Sequence, residues 1–543
     1  MATDLDRDLA SIQEARRLLE AASRAQAAWA LSTQEDADRV CEAMARAAAA
    51  NAEHLARLAR DETGMGRYED KVLKNRFAAE DVWRAYRPLR TRGILRVFPD
   101  ARVKELAIPM GVVAALTPST NPTSTAIYKA IIAVKAGNAI VFSPHPRATE
   151  CVVETVRILS EAARSAGAPP GLIGCMRTVT LEGTQELMRH ALTAVILATG
   201  GSALVRAAYS AGKPAFGVGP GNVPAIIERT ADVEKAVADI VTGKSFDNGL
   251  LCSAENSIIC DAPLEHAVLA RLPENRAYVC SAEEKRRLER TLAPGGRLDT
   301  SLAGQDAPLI ARRAGFEVPP DTRVLVVRLE RVGRDVEPLS IEKLSPVLGF
   351  YVEDGWRACC ERAIQILELG GLGHSLVIHS MDEAVIEAFF REKPAFRILV
   401  NTVAAMGATG YTTGLAPAMT LGPGAPGGSI TSDNVTPLHL INIKRLAYEV
   451  RSMTRPAPSP APGLLAEGDV AAPASGRDAG SPAVVRPPAP ADLPGAHCAV
   501  PAAARCDRDS TEADARHAGA RPITAADVER IVADFLRQHR AGR

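Results

Sequence analysis

The chain carries no excess charge: 64 Lys and Arg residues stand against 64 Asp and Glu residues. No net field therefore draws it to nucleic acid or to an anionic membrane, and any phosphate binding has to be local. It has no apolar run of the ~18–20 residues that a membrane span needs. The opening stretch, Met1 to Ala30, alternates charges with Ala and Leu instead of carrying the apolar core of a signal peptide. The 10 cysteines fall without C-x-x-C pairs and without Cys/His clusters at metal spacing, and Cys359 and Cys360 are neighbours on an amphipathic helical pattern. Reduced thiols, a cytoplasmic setting and no metal are expected. Nucleic acid and membrane are not expected as partners.

What is present is a 543-residue chain of 47% hydrophobic content, long enough for two or three domains with sizeable cores. Leu9, Ile12, Ala15, Leu18 and Leu19 recur at helical spacing and predict an amphipathic opening helix packed on the first domain. From about Lys104 to Lys235, Val/Ile/Ala-rich runs at Gly111 to Leu116, Ala139 to Phe142, Ala194 to Leu197 and Ala225 to Ile227 alternate with helical stretches such as Thr125 to Val134. That rhythm predicts βαβ units around a buried parallel sheet. A second such unit follows from about Thr242 to Asp433, with strands expected at Ser257 to Cys260, Val324 to Leu329, Val347 to Val352, Leu376 to Ile378 and Ile398 to Val400. The fold class is α/β. In open sheets of this kind ligands lie outside the carboxyl ends of the strands, which places the cofactor edge at the stretches following the early strands: Thr117-Pro118-Ser119-Thr120, Ser143-Pro144-His145-Pro146 and Thr199-Gly200-Gly201-Ser202.

The stretch Ser245-Phe246-Asp247-Asn248-Gly249-Leu250-Leu251-Cys252 sets one cysteine just after an Asn-Gly turn. Most free cysteines are small buried hydrophobes. A turn feeding a helix N-terminus or a ring of backbone N–H groups, however, is a setting that lowers a thiol pKa and makes a nucleophile.

Four stretches ahead of Cys252 decide between these readings: Ala115 to Ser124 with its Thr-Asn-Pro-Thr core, Ile140 to Pro146, Ala198 to Ser202, and Gly217-Val218-Gly219-Pro220-Gly221-Asn222. With Glu342 to Pro346, Gly370-Gly371-Leu372-Gly373-His374-Ser375 and Arg397 to Thr402 beyond it, the chain closely resembles the CoA-acylating aldehyde dehydrogenases, including the aldehyde dehydrogenase half of bifunctional aldehyde-alcohol dehydrogenases, over about its first 450 residues. The resemblance implies an aldehyde dehydrogenase fold: a Rossmann-like nicotinamide cofactor domain over 1–241, an α/β catalytic domain with the cysteine over 242–433, and a closing segment over 434–454 that supplies an oligomerisation strand. A homodimer or homotetramer is expected. A second, iron-dependent domain is not, because the remaining tail is short.

The resemblance also implies the chemistry. Cys252 adds to a short-chain aldehyde, and Asn121 together with backbone N–H at the cysteine receives the oxyanion, such a donor being worth about 100 to 1,000-fold in rate. Thr117, Pro118, Ser119, Ser143, His145, Thr199, Gly200, Gly201, Ser202 and Gly219 are expected to border the dinucleotide, and Glu342 to hold its nicotinamide ribose. No acidic residue closes the loop at His145, so NAD and NADP both remain open. Hydrolytic relatives carry a glutamate that activates water. Aligned on Pro224, this chain has Val218 there, and coenzyme A is the expected acceptor. The alternatives are a hydrolytic aldehyde or semialdehyde dehydrogenase releasing free acid, and an inactive homologue acting as a scaffold; the intact Asn121, Cys252 and Glu342 set argues against the latter. The loops at Ala404 to Thr413 and Gly422 to Gly428 depart from the family and are expected to border the aldehyde pocket.

After about Arg455, Pro456, Pro458, Pro460 and Pro462 open an Ala/Pro/Gly/Arg-rich run with no aromatic residue until Phe535. A disordered linker over 455–522 is expected, since such a composition cannot bury enough apolar surface to order itself. Within 523–543, Val528, Ile531, Val532, Phe535 and Leu536 form one helical stripe that Thr524 can cap. The stripe can dock back onto the enzyme. Its place beyond a long linker instead resembles the encapsulation peptides of bacterial microcompartment cargo enzymes, implying a shell-protein partner and a location in a microcompartment lumen.

Overall fold

The computed structural model of the chain describes residues 6–451 and 453. The linker expected over 455–522 and the helix expected over 523–543 lie outside the described residues. Among the described residues the strands, numbered in chain order, form three sheets. The first has the order β5-β4-β3-β6-β7 and is parallel throughout: β3 (Val112–Thr117), β4 (Ala139–Pro144), β5 (Ile173–Cys175), β6 (Thr193–Thr199) and β7 (Ala215–Val218). The direction of winding reverses between β3 and β6, and a sheet of this kind opens a crevice at the carboxyl ends of those two strands. Thr117 and Thr199 stand at these ends.

The second sheet, also parallel, has the order β10-β11-β12-β9-β8-β13-β14, with β8 (Val223–Ile227), β9 (Glu255–Asp261), β10 (Ala277–Val279), β11 (Val324–Arg328), β12 (Val347–Glu353), β13 (Leu376–His379) and β14 (Ile398–Val400). Its make-up corrects the expected boundary at 241. Ala225 to Ile227, assigned to the first domain, pairs with Ile258 to Cys260 on one side and with Val377 to His379 on the other. The chain thus passes between sheets at Gly219 to Asn222. A fully buried parallel strand reads as a continuous apolar run in either sheet, so its composition does not name its neighbours.

The third sheet is antiparallel and joins β1 (Ile94–Phe98) and β2 (Val103–Pro109) to β15 (Ile441–Ala447). The expected closing strand therefore pairs with its own chain, Ile441 opposite Pro109 through Ala447 opposite Val103. It leaves Leu446 exposed, as β1 leaves Phe98.

The opening helix, Arg7–Trp29, is present, capped by Asp6, but its buried stripe is Ser11, Ala15, Leu19, Ala22, Ala25 and Trp29. Leu9 is 55% exposed, contrary to expectation. Small alanines let this helix lie close to the sheet, and Trp29 anchors its end by donating from Nε1 to the Val134 carbonyl at 3.0 Å. That carbonyl belongs to the helix Pro122–Lys135, every residue of which is buried. A helix apolar on nearly all sides needs cover on all sides. Pro122 at its first turn and Asn121 as its N-cap fix where it begins, beside the crevice.

Candidate active site

Cys252 lies in the turn between the helix Val233–Ser245 and β9, so of the two settings the sequence left open the cysteine does not feed a helix N-terminus but leads into a strand. The turn owes its shape to three successive left-handed residues, Asp247 (φ 46°), Asn248 (φ 55°) and Gly249 (φ 74°). Two of these are not glycine, and such a conformation persists only where its surroundings over-determine it. Here they do. The Asp247 carboxylate accepts from the Arg67 N–H at 2.7 Å, from Lys71 Nζ at 3.1 Å and from Lys74 Nζ. The Asp247 N–H donates to Asp70 Oδ2 at 2.8 Å, and Asn248 Nδ2 donates to the Gly304 carbonyl at 2.9 Å.

A cavity of about 580 Å³ opens at the crevice of the first sheet and reaches Cys252. Thr117, Pro118, Ser119, Asn121, Ser143, His145, Thr199, Gly200, Gly201, Gly219, Cys252 and Glu342 all line it, as does Val218. Ser202 does not. It is the first residue of the helix Ser202–Tyr209, which begins after Gly201 with no side-chain cap, so its leading N–H groups remain open to a ligand. The Thr117 and Thr199 hydroxyls are buried and lack a hydrogen-bond partner among the described residues. Ser143 shares a hydrogen bond of 2.8 Å with Thr184, and Nδ1 of the exposed His145 accepts from the Arg147 N–H at 3.1 Å. Neither 404–413 nor 422–428 contributes to the lining. These loops support the site from behind: Ser253 Oγ donates to the Ala405 carbonyl at 2.8 Å, and Arg397 Nη2 donates to the Gly422 carbonyl at 2.6 Å.

The residue that sequence reasoning passed over is His374. Its Nε2 lies 3.2 Å from Cys252 Sγ, and its Nδ1 lies 3.0 Å from Ser375 Oγ. If Ser375 accepts from Nδ1–H, the tautomer leaves Nε2 free to accept the thiol proton. Arg397 fixes the loop by donating from Nη1 to the His374 carbonyl at 2.8 Å. A lone histidine in the glycine-rich stretch Gly370 to Ser375, just before β13, was the available signal.

The electrostatics correct a second expectation. Cys252 is partly exposed at the cavity wall. Even so, burial pushes its thiol up to about 12, with the Glu342 carboxylate adding to the rise; Arg397 and the N–H groups of Cys252 and Ser253 pull the other way without prevailing. Burial, helped by Arg397, brings His374 down to about 3. At neutral pH the pair is thus a protonated thiol beside a neutral imidazole. Burial also lifts Glu342 to about 7, against the Gly221 N–H that donates to its Oε1 at 3.0 Å and the charges of Lys244 and Lys343.

A model of the aldehyde dehydrogenase family matches residues 7–283. The bifunctional aldehyde-alcohol dehydrogenase AdhE of Escherichia coli (strain K12) is 40% identical over 448 residues, 82% of this chain and 50% of that protein. The chain spans about half the length of several such curated relatives. The succinate-semialdehyde dehydrogenase (acetylating) of Clostridium kluyveri is 36% identical over 434 residues, 80% of this chain and 95% of that one. Among solved structures, an acetylating aldehyde dehydrogenase from Geobacillus thermoglucosidasius is 50% identical with a TM-score of 0.82, covering 83% of this chain and 99% of its own. A propionaldehyde dehydrogenase from the fucose utilisation bacterial microcompartment of Clostridium phytofermentans is 27% identical with a TM-score of 0.73, covering 81% and 98%. Cysteine, crevice and sequence agree, and the chain belongs to the aldehyde dehydrogenase family, with acetylating enzymes among its near relatives.

Proposed function

We propose that the chain oxidises a short-chain aldehyde with NAD or NADP and coenzyme A to an acyl-CoA, reversibly, through a thioester on Cys252. The observation that carries this reading is a cavity that joins Cys252 to the switch point of the first sheet and bears Val218 at the place where hydrolytic relatives carry their water-activating glutamate, its one carboxylate, Glu342, being bound to the Gly221 N–H. The unpartnered Thr117 and Thr199 hydroxyls and the uncapped helix after Gly201 suit the ribose and phosphate groups of a dinucleotide. Glu342 suits the nicotinamide ribose, and Ser143 and His145 lie where the adenosine end would pass. A dinucleotide bound there supplies the hydride acceptor.

The residues of the chain do the rest. Sγ of Cys252 bonds to the aldehyde carbon as its proton passes to Nε2 of His374. The carbonyl oxygen, now an anion, takes hydrogen bonds from Asn121 Nδ2 and the backbone at Cys252. Once the tetrahedral carbon has given up its hydride, the acyl group stays on Cys252 as a thioester. Water, with a pKa of ~15.7, needs a base far more than a thiol near ~8.5 does. With valine at 218, the sulfur of coenzyme A is the acceptor: once His374 has released the first proton to solvent, the coenzyme A sulfur bonds to the acyl carbon as its proton passes to Nε2, the bond to Cys252 breaks, and that proton goes on to the leaving cysteine sulfur, restoring the thiol. Sustained NADH formation from a short aldehyde should therefore require coenzyme A and yield acyl-CoA. Steady turnover to free acid without it would favour the hydrolytic reading.

We further propose a microcompartment location. The apolar stripe over 523–543 at the end of a Pro/Ala-rich tail supports it, as does the likeness to an enzyme of such a compartment. A fluorescent protein carrying residues 522–543 should enter compartments formed by co-expressed shell proteins, and Asp at Ile531 and Phe535 should stop it. A diffuse signal from the unaltered fusion would count against packaging.

A further inference from the structure

Behind Asn121 the fold buries two ammonium groups around one carboxylate. Lys71 and Lys74, both on the helix Tyr68–Arg76, are buried, and Nζ of each donates to Asp247 Oδ2. Asp247 is already satisfied by Lys71 at 3.1 Å and by the Arg67 N–H at 2.7 Å. Lys74 is a second buried cation on the same carboxylate oxygen, and a buried charge is costly unless its partners use it.

Its other partner is Asn121: Lys74 Nζ donates to the Asn121 side-chain oxygen. An asparagine at an N-cap ordinarily turns that oxygen onto the free N–H groups of its own helix. Asn121 makes no such bond, although it caps Pro122–Lys135. Its Nδ2 donates to Thr120 Oγ1 at 3.0 Å, which leaves one amide proton over. Asn121 and Thr120 both line the cavity that holds Cys252.

We infer that Lys74 is a positioning residue for the oxyanion donor: by holding the Asn121 side-chain oxygen away from the helix and polarising the amide, it keeps an N–H of Nδ2 available to the oxygen of the reacting carbonyl. The inference rests on reading Asn121 as that donor. Two consequences follow from the geometry. Which end of the amide meets the substrate is set by Lys74 and not by the helix. Through Asp247 the same ammonium also ties the donor to the left-handed turn that carries Cys252, so nucleophile and donor share one anchor. A bond to the amide oxygen strengthens the donation of the amide nitrogen, as in any chain of hydrogen bonds.

The test is a double-mutant cycle of Lys74→Met and Asn121→Ala on the full chain, reading kcat and KM for the aldehyde at saturating dinucleotide and coenzyme A, with Tm as the fold control. N121A should lower kcat roughly 100-fold or more, and K74M roughly tenfold with KM little changed. In the N121A background K74M should cost no further kcat. Lys74→Gln carries the same cycle if K74M is not folded at the assay temperature, and its effect must vanish in N121A likewise. If the lysine variant retains its full effect beside N121A, it acts through the turn and not through the amide, and the inference fails. If N121A itself retains near-native kcat, the donor reading fails and the positioning role with it.

Discussion

Replacing Cys252 with Ala should abolish aldehyde oxidation and acyl-CoA reduction, with a loss of at least ~10⁴-fold, the scale seen when the nucleophile of a covalent mechanism is removed. The fold should hardly notice. The side chain sits at a cavity wall, and the turn around it is held by Asp247, Asn248 and their partners, not by the sulfur. A stability change of about 1 kcal/mol is expected, and dinucleotide affinity should persist. Thermal unfolding and NADH binding monitored by fluorescence check the two parts separately. Cys252→Ser should behave like Ala, because a hydroxyl beside an imidazole brought down to about 3 has no strong base to activate it. Appreciable turnover in either variant would move the nucleophile elsewhere. The seven other free cysteines among the described residues line no part of this cavity.

Replacing His374 with Ala should slow acyl-enzyme formation by about 100-fold, the lower end of what a positioned proton acceptor contributes. The lower end applies because burial and Arg397 make the resting imidazole a weak base. The pH profile carries the sharper signature. With the thiol pushed up to about 12 and no acceptor at 3.2 Å, reaction has to wait for free thiolate. Below that pKa the thiolate fraction grows tenfold per pH unit, so the variant's pre-steady-state NADH burst should climb steeply between about pH 6.5 and 9. The native enzyme, which hands the proton to Nε2, should show a flatter profile. Parallel profiles would mean that His374 does not take the proton.

Much of the scaffold was legible because buried parallel strands announce themselves as short Val/Ile runs, and β3, β4, β6, β9, β11 and β12 fall where those runs do. Which sheet a run joins is set by neighbours far away in the chain, and β8 shows the consequence: an apolar pentapeptide that reads like its predecessors but sits between β9 and β13. The crevice residues were legible for a similar reason, since each follows a strand and the ends of parallel strands converge at a switch point. His374 was not, because its contact with Cys252 bridges 122 positions of sequence and no local pattern encodes it. Lys74 was hidden by its type. A lysine in a charged helical stretch reads as a solvated face, and only the structure reveals that Tyr68–Arg76 turns Lys71 and Lys74 inward onto Asp247. The thiol's elevated pKa was equally out of reach, since burial belongs to the assembled cavity and not to the Asn-Gly turn.

An acyl group that waits on Cys252 for a thiol separates this chemistry from hydrolysis. Mixing the enzyme with dinucleotide and a short aldehyde in the absence of coenzyme A, then recording the intact mass and that of the Cys252 peptide, tests it most directly. The expected result is a burst of NADH close to one equivalent per site, an acyl adduct on Cys252 that persists, and its discharge as acyl-CoA when coenzyme A is added. NADH that continues to form at the full rate with free acid as product, and a Cys252 peptide that never gains the acyl mass, would contradict it.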